Sequence, residues 1–120
     1  MRFGFLISML LLMAVPGFFG CATTPEVTQS QASELYDQGL RYFNKGNYKK
    51  AREIFQDYIS DHSDTHLYPV SLYYLGYCYQ KLGESKQALL IYHKVIDESD
   101  DDFWDKMAQT RILEIQESTP

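Results

Sequence analysis

Residues Leu72–Ile96 read LYYLGYCYQKLGESKQALLIYHKVI, and sliding this stretch back by 37 positions lays it over a second copy of itself. Leu72, Gly76, Tyr79, Gly83, Lys86, Ala88, Ile91, Tyr92 and Ile96 fall on Leu35, Gly39, Tyr42, Gly46, Lys49, Ala51, Ile54, Phe55 and Ile59. A fixed period of roughly 20 to 50 residues marks a stacked repeat architecture, in which each unit buries its apolar face against the next. The chain therefore reads as a small all-α array.

Within each copy the apolar residues recur at helical spacing. Leu35, Tyr36, Leu40, Tyr42 and Phe43 form one stripe on a helix from Ala32 to Asn44, and Ala51, Ile54, Phe55, Tyr58 and Ile59 form another on a helix from Tyr48 to about Ser60. Lys45-Gly46-Asn47 lies between them: glycine can take positive φ after a helix, and Asn47 can cap the helix that follows. Asp61 to Leu67 is a polar connection, and Pro69 suits the first turn of the next helix, which runs to Lys81. Leu82-Gly83-Glu84 repeats the turn, with Ser85 as the expected cap of a fourth helix ending near Asp97. Carrying the interval forward sets Trp104, Met107, Ala108, Ile112 and Ile115 on Leu67, Val70, Ser71, Leu75 and Cys78. Phe103 to about Glu117 is thus a fifth helix, of the first type, without a partner. Leu113 replaces the glycine, and an outer face of Lys106, Gln109, Glu114 and Glu117 closes the array as a solvating cap.

The N-terminus has a different character. Met1-Arg2 followed by the apolar run Phe3–Val15 and Pro16-Gly17 has the layout of an export signal and is short for a membrane span. Gly20-Cys21 after this run resembles the lipobox of bacterial lipoproteins, with Phe18 where leucine is usual and Phe19 where a small residue is usual. That resemblance implies a signal over 1–20, lipid attachment at Cys21 and a flexible tether over 21–31. Ala22 in place of aspartate then favours the outer membrane. The rival is cleavage after Ala22, because Gly20-Cys21-Ala22 also fits the small-x-small rule, and would release a soluble periplasmic protein. With Cys21 acylated, Cys78 has no disulfide partner and reads as a buried, inert thiol.

The order Leu, Gly, Tyr, turn Gly, Ala, then Phe or Tyr is similar to the tetratricopeptide repeat (TPR). Family positions match Leu35, Gly39, Tyr42, Ala51 and Phe55, then Leu72, Leu75, Gly76, Tyr79, Ala88 and Tyr92. The resemblance implies a short right-handed α-solenoid over 32–118: repeat 1 at about 32–65, repeat 2 at about 69–102, and a capping helix at about 103–118. It also implies close backbone approach at the glycine and alanine positions, with aromatics wedged between hairpins. Gln38 stands where an apolar residue is usual, and the family's proline is missing at Ser63 and Asp100. The lengthened period resembles the repeats of outer-membrane assembly lipoproteins and of Tol-Pal-associated cell-division coordinators.

The charge is −5, and loss of the first 20 residues removes Arg2, leaving 10 basic against 16 acidic side chains with no basic stripe. This composition argues against nucleic-acid binding, which needs clustered cations. No nucleophile–base arrangement can be built from His62, His66 and His93, and His62 and His66 lie in a loop without a metal-ligand frame. The reading is non-enzymatic, with no cofactor and no metal.

In the TPR family the first helices of successive repeats line a groove that holds an extended peptide or a partner's helix. The resemblance places Tyr36, Leu40, Phe43 and Asn44, then Tyr73, Tyr77, Gln80 and Lys81, along that groove. Helical aromatics are more often core, which is the reading for Tyr74, Tyr79 and Trp104 and leaves Tyr73 and Tyr77 evenly between groove and core. It implies a lipid-anchored adaptor or assembly factor, bound to a cell-envelope protein complex at the periplasmic face of the outer membrane. The alternative is an accessory subunit of peptidoglycan synthesis or of cell-division coordination. Two and a half repeats are few for an isolated array, so self-association or completion on a larger complex is a further expectation.

Overall fold

The computed structural model describes residues 25–120, so the export signal, the acylation site at Cys21 and the cleavage alternative at Ala22 lie outside the described residues. Within them the chain is all-helical: α1 (Pro25–Asn44), α2 (Tyr48–Asp61), α3 (Tyr68–Lys81), α4 (Ser85–Glu98) and α5 (Asp102–Ser118). α1 pairs with α2 and α3 with α4 as antiparallel hairpins; α2 packs on α3, α4 on α5, and α3 also reaches α5. The expected repeat pattern is realised in order.

Both hairpin turns close in the same way. The amide of Gly46 donates to the Phe43 carbonyl and that of Asn47 to Tyr42, both at 2.9 Å; Gly83 donates to Gln80 at 3.1 Å and Glu84 to Tyr79 at 2.9 Å. This double bond pattern satisfies the carbonyls that a helix end leaves without partners, and it requires the left-handed glycine φ of +76° and +77° seen at Gly46 and Gly83. Asn47 and Glu84 each end one helix and begin the next.

Their side chains then diverge. Asn47 Oδ1 accepts from the Lys50 amide at 3.2 Å, as a cap should. Ser85, the expected cap of α4, is instead its first helical residue, and Glu84 occupies the cap position without a side-chain bond to the helix. The Glu84 carboxylate is engaged elsewhere: Arg52 Nη1 of α2 donates to it at 2.9 Å, tying the first hairpin to the second. Arg52 also lies over the Tyr79 ring, 5.6 Å from its centroid, and Gln56 Nε2 donates to the Tyr79 hydroxyl at 2.7 Å.

The glycines within α1 and α3 mark the close approach of the second helix, which is made by a ring. A Cβ on Gly39 would lie 2.8 Å from the Phe55 ring, and one on Gly76 the same distance from the Tyr92 ring. Each glycine is the seat for the large aromatic of its own hairpin's second helix, and the same ring packs against the helix that follows, Phe55 with Leu75 and Cys78 and Tyr92 with Ala108, Ile112 and Ile115. Phe55, Tyr92 and the facing Ala51 and Ala88 are all fully buried. Close packing of this kind leaves no room for an added methyl.

Helix α1 starts at Pro25, seven residues ahead of the expected Ala32, so residues 25–31 of the anticipated tether are helical. Proline suits a first helical turn, and Glu26, Gln29 and Gln31 are good helix formers despite having no apolar face to announce them. The loop between the hairpins is pinned from below: Tyr58 donates to Thr65 Oγ1 at 2.6 Å, and Thr65 donates to the His62 carbonyl at 2.9 Å.

The N-terminal edge of the array is polar where its interior is not, and the C-terminal edge is mixed. At the N-terminal edge, Glu34, Asp37, Gln38 and Arg41 are exposed, with Arg41 Nη2 donating to Glu34 at 3.0 Å. The equivalent positions of α3 are Ser71, Tyr74, Leu75 and Cys78, which face α2. Gln38 therefore departs from the repeat pattern because no helix precedes α1. On α5, Ala108, Ile112 and Ile115 are buried as the interval requires, whereas Leu113 is 58% exposed.

Candidate inner-face binding site

α1, α3 and α5 share one side of the array, and their rings meet along it. Phe43 of α1 lies 5.0 Å from Tyr74 and 5.2 Å from Tyr77 of α3. Tyr36 packs edge-on against Phe55, Tyr58 and Tyr74 at 6.1 to 6.5 Å, and Tyr74 stacks on Phe55 at 5.6 Å with 13° between planes. Such offset and edge-to-face pairs hold rings rigidly. Burial, with the Tyr74 hydroxyl nearby, pushes the Tyr36 phenol up to about 12, so it stays a neutral donor at ordinary pH.

Toward the C-terminus the surface becomes charged. The Arg111 guanidinium stacks over Tyr77 at 4.2 Å and Lys81 Nζ lies 5.3 Å from the same ring. Arg111 Nε donates to the Tyr73 hydroxyl at 3.0 Å and Nη1 to Glu114 at 2.8 Å. Gln80 links this group to the core: Nε2 donates to Glu114 at 3.4 Å, and Oε1 accepts from the Tyr92 hydroxyl at 2.8 Å. The hydrogen bond from Arg111 holds the Glu114 carboxyl below its ordinary range. Around these side chains is an open hollow of about 370 Å³, lined also by Ile115 and Ser118.

The expected groove residues therefore divide. Tyr36, Phe43 and Tyr77 are half-buried and in line, with Asn44 and Lys81 exposed at the ends of α1 and α3. Leu40 packs down into the core beside Phe55 and Leu75. Tyr73, 3% exposed, lies beneath the face, between Tyr92 at 5.9 Å and Trp104 at 5.4 Å. Gln80 serves the internal network.

Three residues of the face escaped the sequence reading. Tyr74, read as core, is half-buried and bridges Tyr36 to Phe43. Arg111 and Glu114 of α5 complete the charged end, and Glu114 turns to this side rather than to the outer face where the helical pattern seemed to put it. A signal existed: carried back by 37 positions, Arg111 and Glu114 fall on Tyr74 and Tyr77.

Cys78 is buried, and burial pushes its thiol up to about 12, well out of the nucleophilic range. His66 borders an acidic hollow of about 400 Å³ with Asp64, Glu98 and Asp100, where Tyr68 donates to Glu98 at 2.6 Å. Among the described residues no group of three or more His, Cys, Asp or Glu side chains is arranged to hold a metal ion, and no helix is long and apolar enough to cross a membrane.

A family model described as the SusR N-terminal TPR domain matches residues 24–94, which takes in α1 to α3 and most of α4. No curated protein and no solved structure matches the chain.

Proposed function

Because the matched segment spans more than half of the chain, the protein belongs to the family of SusR N-terminal TPR domains, and on that premise we propose that its inner face is a docking groove for a partner protein. The TPR fold is typically a non-catalytic scaffold for protein–protein contact. The observation that carries the finer reading is the set of half-buried rings in which Phe43 of the first hairpin lies against both Tyr74 and Tyr77 of the second. Rigid aromatic surface binds at low entropic cost, and hydroxyls at Tyr36 and Tyr74 can bond a partner's backbone. Lys81 and Arg111 at one end favour a segment carrying a carboxylate there.

The N-terminal sequence extends this proposal to place. Acylation at Cys21 would hold the groove at the periplasmic face of the outer membrane, as an adaptor within an envelope complex. Benzophenone probes at Tyr36, Phe43 and Tyr77, with a control at the outward-facing Leu90, test the groove in cells. Crosslinks to one protein from the three inner sites are expected. Yield no higher than at Leu90 overturns the groove. Membrane fractionation of Cys21→Ala tests the anchor separately, since an unchanged distribution overturns the lipid tether and leaves the groove result standing.

A further inference from the structure

The outer face of α5 is the face that α4 covers on α3. Counting back by 37 positions, Thr110 stands for Tyr73, Leu113 for Gly76 and Glu117 for Gln80. A following helix with an aromatic ring at the family position would meet a side chain here instead of a glycine. In both preceding repeats the glycine seat receives a buried aromatic ring, and Leu113 fills that seat with its own side chain. Leu113 is a large aliphatic group left 58% exposed on this face.

The residues flanking Leu113 identify what fits. Lys106, Thr110, Leu113 and Glu117 follow one another at intervals of four, three and four, which sets them in a single stripe along α5. That spacing is the seam of a two-helix coiled coil. It is also palindromic. Laid antiparallel about a two-fold axis between Arg111 and Ile112, the stripe meets itself with Leu113 on Thr110 and Lys106 on Glu117, each pairing occurring twice.

The chemistry of the stripe agrees with this pairing. All four residues are exposed, and neither Lys106 nor Glu117 has an ion-pair partner among the described residues. Thr110 Oγ1 already donates to the Lys106 carbonyl at 2.9 Å, so covering it leaves no unsatisfied hydroxyl. Its small side chain gives Leu113 room, and the Lys106 stem can lie along the seam with its charge at the rim. Glu114 is held on the inner face by Arg111, which keeps the competing carboxylate out of the seam.

We infer that α5 is a homodimerisation helix, pairing antiparallel with the α5 of a second copy through the Lys106–Thr110–Leu113–Glu117 stripe. The arrangement is isologous and closed, so it makes dimers and not filaments. One 17-residue helix pair buries less than the ~1,600 Å² of a standard stable interface, which places this dimer in the transient class. The inner faces of the two copies remain free, giving a two-grooved unit.

Disulfide trapping in the full chain tests the register. One tagged chain carries Lys106→Cys and a second, differently tagged, carries Glu117→Cys; this mixed pair keeps one of its two ion pairs. After copper–phenanthroline oxidation the mixed disulfide is expected to dominate, several-fold above a Leu90→Cys control and above Lys106→Cys paired with itself. Leu113→Glu added to both chains should reduce the trapped product to the control level. In the otherwise unaltered chain, followed by chemical crosslinking, Lys106→Glu should weaken association by roughly fivefold, and Lys106→Glu with Glu117→Lys should restore it. Mixed product no greater than the Leu90→Cys control overturns the inference, as does preferential Lys106→Cys self-pairing, which would mean a parallel register. A trapped adduct with a different protein assigns the face to another partner and overturns it equally.

Discussion

The two hairpins are built on one plan and differ at one hydroxyl. Phe55 and Tyr92 sit on equivalent glycines, Gly39 and Gly76, at the same 2.8 Å clearance. Phe55 needs nothing polar, and the position above it on α1 is Phe43, which is open to the inner face. Tyr92 carries a hydroxyl into the same closed space, and the position equivalent to Phe43 is Gln80, whose Oε1 accepts that hydroxyl. Gln80 then reaches Glu114, Glu114 holds Arg111, and Arg111 holds Tyr73. One oxygen atom in the core thus separates a bare aromatic half of the groove from a half locked into a polar network. Residues in the same family position can belong to opposite classes of surface, depending on what is buried beneath them.

The comparison can be broken at several levels. Truncating either seated ring, Phe55→Ala or Tyr92→Ala, should cost about 3–5 kcal/mol by urea denaturation, because each empties a closed site. A much smaller loss at Phe55 would mean that the first hairpin relaxes around the vacancy, and the two seats would not be equivalent. Gly39→Ala and Gly76→Ala should each destabilise by about 1–3 kcal/mol through overpacking, partly offset by the ~1 kcal/mol that alanine gains over glycine in a helix. A neutral result at both would end the account of glycine as a seat.

Exchanging the hydroxyl sharpens the contrast further. Phe55→Tyr puts a donor where Phe43 offers no acceptor and should lose about 1–2 kcal/mol, recovered in part by Phe43→Gln in the same chain. Additive losses in that double-mutant cycle would show that the two positions do not communicate. The smallest effect concerns pH. Glu114 is depressed in the folded state, so its contribution is complete above the unfolded carboxylate range and is lost as pH falls through the folded value. Because the side chain is largely exposed, only a few tenths of a kcal/mol should disappear below about pH 4. Comparing urea midpoints with Glu114→Gln checks it, since that variant should lack this step while the first hairpin, which has no counterpart, is unaffected.

How far the sequence could be read follows the same division. Both hairpins, their glycine turns and the fifth helix were legible because the 37-residue interval repeats every element that packing requires. The start of α1 was not, since residues 25–31 have helix propensity without an apolar stripe to display it. The cap of α4 was misread because the turn already sets Glu84 at the helix entrance, a step before Ser85. On the inner face, Tyr36 and Phe43 stand where the family resemblance put them, and Tyr77, open between groove and core, is half-buried. The burial of Tyr73 depends on Trp104 and Arg111, and the inward turn of Glu114 on Arg111, contacts with a helix that has no full counterpart in the preceding repeats.

Asn47 and Glu84, each closing one helix and opening another, also set where this scaffold tolerates alteration. A single residue inserted at either turn has no slack to occupy and would rotate the following helix by about 100°, carrying its ring off the glycine seat. In the connection from His62 to Leu67, Ser63 and Asp64 are exposed at the tip of the turn that Thr65 closes on His62, and a flexible insertion between them adds only a slowly growing closure entropy. A reporter domain, an affinity loop or new chain termini belong between the hairpins, near Ser63 and Asp64, where the repeat register survives the graft.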